Sequence, residues 1–175
     1  MSTLTIAKVG GSLFDLPDLA DRLRRWLAGT PNHPVLLVPG GGAGADVIRR
    51  LDAVHRIGDE AAHWLALGVA GVNARFLAGL LNIRVTSFAT QSLGTSVLDP
   101  DAFCHFDEGR DGALPHTWDV TTDSVAARVA AVAGGSLTLL KSTDLPYGMA
   151  WEEAATNGFV DRAFPSLVAG SAIGS

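Results

Sequence analysis

The chain has 175 residues, 47% of them hydrophobic, and a mean hydropathy of +0.26. That is enough apolar material for one compact domain over residues 1–175 and too little length for two. A net charge of −5 and a pI near 5.4 argue against a nucleic-acid partner, and no basic cluster exceeds Arg22-Leu23-Arg24-Arg25. The single cysteine, Cys104, excludes an internal disulfide and stands at no metal-ligand spacing, so no metal centre is expected and a reducing cytoplasm is the natural setting. The longest apolar stretch, residues 63–81, contains Asn73 and Arg75. Both are costly in a bilayer, so the chain reads as soluble, with no membrane partner.

In chain order, residues 3–9 read as a buried strand. Residues 16–27 read as an amphipathic helix with Leu16, Leu19, Leu23 and Leu27 on one side, Pro17 in its first turn and Asp15 as its cap. Residues 30–34 are a turn, and a second strand over 35–38 stops at Pro39-Gly40-Gly41-Gly42. Helices are predicted over 43–55 and 59–81, the latter apolar enough to be buried on more than one face or to cover a subunit contact, which would make the protein a homodimer or a higher homo-oligomer. A third strand is predicted over 83–88. The irregular region 89–115 leaves room for a short strand near 96–98 and a helical turn at 101–105. A helix over 121–133 is stopped by Gly134-Gly135, a strand runs over 136–141, and short helices follow at 151–156 and 162–168 before a frayed tail at 170–175. Strands alternating with helices imply a three-layer αβα sandwich around a mainly parallel sheet.

Two strands end in unusual chemistry. The first runs into Lys8-Val9-Gly10-Gly11-Ser12 and the last into Lys141-Ser142-Thr143-Asp144. Lys8 and Lys141 are the only lysines, against eleven arginines. A compact ammonium suits a phosphoryl group whose charge moves during transfer, and glycines let backbone N–H groups approach an anion closely. The glycine run at 40–42 also lies between a strand end and a helix start, where anions bind. The P-loop pattern is absent. Gly40-x-Gly42-x-x-Ala45 fits a loose dinucleotide fingerprint, but it follows the second strand and has no strand-end acid about twenty residues on. No Ser-His-Asp or paired-carboxylate arrangement stands out.

Lys8-x-Gly10-Gly11-Ser12, Val38-Pro39-Gly40-Gly41-Gly42 with Ala45-Asp46, Thr121-Thr122-Asp123-Ser124-Val125-Ala126-Ala127 and Leu139-Leu140-Lys141-Ser142-Thr143-Asp144 together resemble the motifs of the amino acid kinase superfamily, which includes acetylglutamate, aspartate, carbamate and uridylate kinases. The resemblance implies that fold, with a shortened C-terminal part, and an ATP- and Mg²⁺-dependent phosphotransferase with a small anionic acceptor. By resemblance Lys8, Asp123 and Lys141 are catalytic, with Asp123 orienting the two lysines. Gly10, Gly11, Ser12, Ser142, Thr143, Asp144 and Gly148 border phosphate and nucleotide, and Gly40, Gly41, Gly42, Asp46, Asp119 and Thr122 meet the acceptor. The Mg²⁺ is expected on the nucleotide's phosphates instead of a protein cage.

Within the superfamily, three further stretches resemble the small kinases of methanofuran-type cofactor synthesis, which convert an aminomethylfuran-methyl phosphate to its diphosphate. They are Asp59-Glu60-Ala61-Ala62-His63-Trp64, the run from His116 to Asp123, and the run from Trp151 to Asp161. Read from the residues alone, His63 is a satisfied buried histidine, His116 a loop residue within reach of substrate, and Trp64, Trp118 and Trp151 core or subunit contacts.

Overall fold

Apolar runs at the predicted strand positions assemble into one parallel sheet in the computed structural model, which describes residues 4–30, 33–89 and 94–169. The strands are β1 (Thr5–Val9), β2 (Val35–Pro39), β3 (Val85–Thr86), β4 (Ser96–Leu98) and β5 (Ser136–Leu140), in the order β3-β4-β2-β1-β5. Register pairs Lys8 with Val38 on one side and with Leu139 on the other. The chain leaves β1 toward β2 and later returns to the other flank of β1 as β5. The carboxyl ends of these three strands therefore surround a point where strand order reverses, the usual ligand crevice of an open α/β sheet.

Helices α1 (Leu19–Ala28), α2 (Gly42–His55), α3 (Asp59–Leu81), α4 (Pro100–Asp107), α5 (Thr122–Ala133), α6 (Trp151–Thr156) and α7 (Phe164–Val168) complete the α/β architecture. Strand alternation sorts the core into two clusters. Leu4, Ile6, Leu36, Val38 and Leu98 face α5 and α7. Ala7, Val9, Val35, Leu37 and Val97 face α1 and the C-terminal half of α3. Lys8 falls on the same strand face as Leu4 and Ile6, and so points toward α5.

The first helix differs from expectation. Residues 11–15 form a 3₁₀ helix, and α1 begins only at Leu19. Asp15 is thus not a cap and Pro17 lies before the helix. Asp18 occupies the N-cap position but turns its carboxylate to Arg22, 2.9 Å away. The glycine turn explains the delay: Gly11 opens the 3₁₀ helix at once and fixes the chain direction before the leucine periodicity begins. Leu19 and Leu23 are buried, while Leu16 and Leu27 pack at the edge of the same cluster. The third strand is shorter than expected, two residues against six. The turn at 30–34 falls partly, and the tail at 170–175 wholly, outside the described residues.

By length and composition α3 could cross a bilayer. Its polar residues are engaged within the protein, Asn73 with the backbone after β2 and Arg75 with Asp99 at 3.2 Å. One side, with Ala70, Ala74 and Leu77, is buried, whereas Leu65, Val72 and Phe76 stay more than half exposed. Truncating Leu77 to Ala should cost about 2–5 kcal/mol in chemical denaturation, and Val72→Ala less than about 0.5 kcal/mol. Equal costs would mean that the faces of α3 are assigned wrongly.

Candidate functional site

The backbone after β1 and the backbone after β2 touch. A Cβ on Gly11 would lie 2.4 Å from the nitrogen of Gly42, and one on Gly40 would lie 2.7 Å from the nitrogen of Gly11. Gly42 also has φ +56, a left-handed conformation that favours glycine. Three glycines are therefore required by contact. Asn73 locks the second turn by donating from Nδ2 to the carbonyl oxygens of Gly40 (2.7 Å) and Gly41 (3.1 Å). The N–H groups of Gly11 and Ser12 open the 3₁₀ helix and those of Gly42 and Ala43 open α2, positions without intrahelical acceptors. The N–H groups of Gly10 and Gly40 are already donated to Leu140 and Val9. Those two glycines shape the turns and give no donor to a ligand.

Beside these turns, Lys8 Nζ lies 2.8 Å from Asp123 Oδ1, and Lys141 Nζ lies 2.8 Å from Asp123 Oδ2. Lys141 also donates to the carbonyl oxygen of Phe159. Lys8 and Asp123 are buried, and Lys141 is more open. Asp123 stands in the first turn of α5, whose N-cap Thr121 accepts the Asp123 N–H at 3.4 Å. Burial by itself pushes the Asp123 carboxyl up, but the Lys8 and Lys141 ammonium groups outweigh it, and the net shift is downward from 3.8. Burial and then the neighbouring Lys8 charge push Lys141 down from 10.5, against the opposing pull of Asp123 and Asp161. One carboxylate between two ammonium groups leaves a net positive charge facing the glycine turns.

Lys8, Gly10, Gly11, Ser12, Lys141, Ser142 and Thr143 meet around a cleft of about 330 Å³, closed on its far side by Asn157, Gly158 and Phe159. Ser12 and Ser142 hydroxyls lie 2.8 Å apart across it. A second hollow, of about 660 Å³, runs along the outer edge of β5, sharing Lys141, Thr143 and Phe159 with the first and adding Asp144 and Trp151. Gly148 borders neither.

A smaller cavity of about 60 Å³ lies at the start of α5, between Gly41, Arg49, His63, Trp118, Thr121 and Thr122. Trp118 is latched over it: its Nε1 donates to Asp52 Oδ2 at 2.8 Å, and the Arg49 guanidinium sits 4.6 Å from its ring. Asp46 is not drawn in: it is exposed and pairs with Arg49 at 3.2 Å. Asp119, exposed and 3.7 Å from Arg162, lines a separate open hollow of about 920 Å³ that shares Trp118 and Thr121 with this cavity and includes Asp161. His63 is buried, stacked on His116 with ring centroids 5.1 Å apart and in edge contact with Trp64. Burial and the His116 charge push it down to about 4, so it is neutral at pH 7. Burial, then Asp107 and Asp101, push the Cys104 thiol up to about 12, which removes it as a nucleophile. Trp64 stacks on His105, and Trp151 packs edge-on to Phe164.

The amino-acid pattern singled out the runs 116–123 and 151–161 but not the latch role of Trp118 or the contacts of 157–161, and it did not mark Asn73 as a clamp. Asn73 left a local signal, a polar amide inside an apolar helix.

Solved structures with similar architecture are those of the uridylate kinase from Archaeoglobus fulgidus, the UMP kinase from Ureaplasma parvum and the UMP kinase from Bacillus anthracis. The first superposes with a TM-score of 0.66 at 14% identity, covering 97% of this chain and 87% of that one. The others give 0.63 at 16% identity, with 99% and 88% covered, and 0.59 at 13% identity, with 94% and 82% covered. No protein-family description and no curated protein sequence matches the chain. The protein thus has the α/β fold of these uridylate kinase structures, over nearly its whole length.

Replacing Asp123 by Asn leaves two clustered ammonium groups without their carboxylate and should cost about 3–5 kcal/mol at pH 7. Because the folded pKa of Asp123 is depressed, its contribution is fully present above the unfolded value of 3.8 and is lost as pH falls through the folded value. Denaturation curves of the wild type and Asp123→Asn should therefore converge below about pH 3.8. A gap that stays constant to lower pH would contradict the ion-pair assignment.

Proposed function

We propose that the protein is an ATP-dependent kinase of the amino acid kinase superfamily that transfers the γ-phosphoryl group to a small anionic acceptor. The observation that carries this reading is the buried Lys8–Asp123–Lys141 triad beside two glycine turns packed against each other. The 330 Å³ cleft fits a triphosphate, and the hollow along β5 has room for the nucleoside. Lys8 neutralises the transferring group, with backbone N–H groups of Gly11, Ser12, Gly42 and Ala43 as donors, and Lys141 neutralises charge toward the leaving phosphate. An oxygen of the acceptor bonds to the γ-phosphorus as the bond to the β-bridging oxygen breaks, releasing ADP. An acceptor that is already anionic loses no proton, so no general base is needed. Among the described residues no group of three or more His, Cys, Asp or Glu is placed to hold a metal ion. Mg²⁺ would enter on the nucleotide's phosphates, where it supplies charge neutralisation.

The acceptor we favour is [5-(aminomethyl)furan-3-yl]methyl phosphate. The cavity under Trp118, about 60 Å³, is well below the roughly 300 Å³ and more of small-molecule sites, so any acceptor there requires Trp118 to release Asp52, and the more compact furan phosphate needs the smaller opening. A uridylate acceptor is the second reading, favoured by the likeness to UMP kinase structures. It requires a wider opening at Trp118 than the furan phosphate does.

ADP release from Mg-ATP, with the furan phosphate, UMP and carbamate offered in parallel, separates these readings. Turnover is expected with the furan phosphate and not with UMP; the reverse would move the assignment to uridylate, and binding of ATP without turnover on any acceptor would sink the kinase reading. Lys8→Ala and Lys141→Ala should each lower kcat by about a hundredfold or more while the fold survives. In the wild type, kcat/KM for ATP should fall on the alkaline side at a pH below 10.5, because the depressed pKa of Lys141 in the free enzyme removes its charge early.

A further inference from the structure

Asp161 plays no part in the chemistry above, yet it is the most heavily bonded carboxylate near the site. Its Oδ2 accepts the Thr121 N–H and the Thr121 hydroxyl, both at 2.8 Å, and the Ser124 N–H at 3.0 Å. Its Oδ1 accepts the Ser124 hydroxyl at 2.5 Å and the Phe164 N–H at 2.9 Å. An acid about forty residues away in sequence thus caps the N-terminus of α5, the turn that carries Asp123. The helix's own cap is weaker, a 3.4 Å contact from Thr121 Oγ1.

Two residues before Asp161, the Phe159 carbonyl accepts from Lys141. The short run 159–161 therefore touches both the cation at the end of β5 and the helix that carries its anion. Both ends of the run are tied down. The Phe159 N–H donates to Ala154 in α6 at 2.8 Å, and the Ala163 N–H donates to Asp119 at 3.1 Å. The preceding residues, Asn157 and Gly158, continue into the wall of the phosphate cleft.

We propose that residues 159–161 form a strap that sets the spacing between Lys141 and Asp123, with Asp161 as the positioning residue. The strap's kinetic consequence rests on the kinase reading; its geometric consequence does not. A bare helix cap would move Lys141 only through the lost Asp161 charge, and a variant that keeps that charge would leave Lys141 where it was. A strap that spaces two charges affects the ionisation of Lys141, whose neighbours are Lys8, Asp123 and Asp161.

The protein offers a direct readout, because its two lysines give only two ε-carbon signals under ¹³C-lysine labelling. Asp161→Asn keeps the shape and removes the charge, Ser124→Ala removes one strap contact without changing charge and is the milder variant, and Val168→Ala, in the core at the end of α7, controls for lost stability. In Asp161→Asn the Lys141 titration should move down by about half a pH unit or more. At the same time kcat should fall about tenfold or more, with the KM for ATP changing less than about threefold. Ser124→Ala should shift both in the same direction by less, and Val168→Ala should shift neither. If Ser124→Ala lowers the melting temperature as Val168→Ala does but leaves Lys141 and kcat where they were, a Lys141 shift in Asp161→Asn is the lost charge alone, Asp161 is a cap and the strap is wrong. If the wild type transfers no phosphoryl group, the kinase reading falls, and the lysine titration alone still decides the strap.

Discussion

Asp123 holds two ammonium groups at 2.8 Å, each on a different strand end, and all three charges are largely withdrawn from water. Removing charges from water costs several kcal/mol per ion, and that cost is offset only when partners are held in close and fixed geometry. This requirement explains much of the surrounding architecture. Lys8 must leave the sheet on the α5 side, so β1 keeps its alternation of Leu4, Ile6 and Lys8 on one face. Lys141 must arrive from the neighbouring strand, so β5 pairs directly with β1. α5 must start at one point, and a carboxylate from the C-terminal segment fixes that start.

The triad's net positive charge is useful only if an anion can reach it. The glycine turns provide that access. Gly11 and Gly42 meet backbone to backbone, and a methyl group at either would force the turns apart. Asn73 consumes the carbonyls of Gly40 and Gly41, which leaves the α2 start presenting its N–H side. Electrostatic preorganisation of this kind matters most where charge is redistributed without proton transfer.

Periodicity made the parallel sheet, the long α3 and α5 legible in the sequence, because strand and helix patterns are local and the turns are marked by glycine. The two lysines were legible for a different reason: among eleven arginines, each at a strand end, they stand out by chemistry, whereas their pairing with Asp123 was implied only by the motif resemblance. The start of α1 was misread because leucine spacing does not register a 3₁₀ turn ahead of the helix. Asp46 and Asp119 carried the same acidic signature as Asp123, yet each faces outward to an arginine, since side-chain direction depends on packing that no spacing rule contains. The partnerships of Trp118 with Asp52 and of Asp161 with Thr121 span 66 and 40 residues. Contacts at such separation are set by the topology and leave no local pattern.

Where a nucleotide's terminal phosphate lies decides whether the triad and the glycine turns form a phosphoryl-transfer site. A crystal structure with a non-hydrolysable ATP analogue and Mg²⁺ measures that directly. The γ-phosphate oxygens should lie about 2.7–3.0 Å from Lys8 Nζ and from the N–H groups opening the 3₁₀ helix and α2, with Lys141 toward the β-phosphate. An analogue bound with its phosphates away from both lysines would contradict the account, whatever the fold.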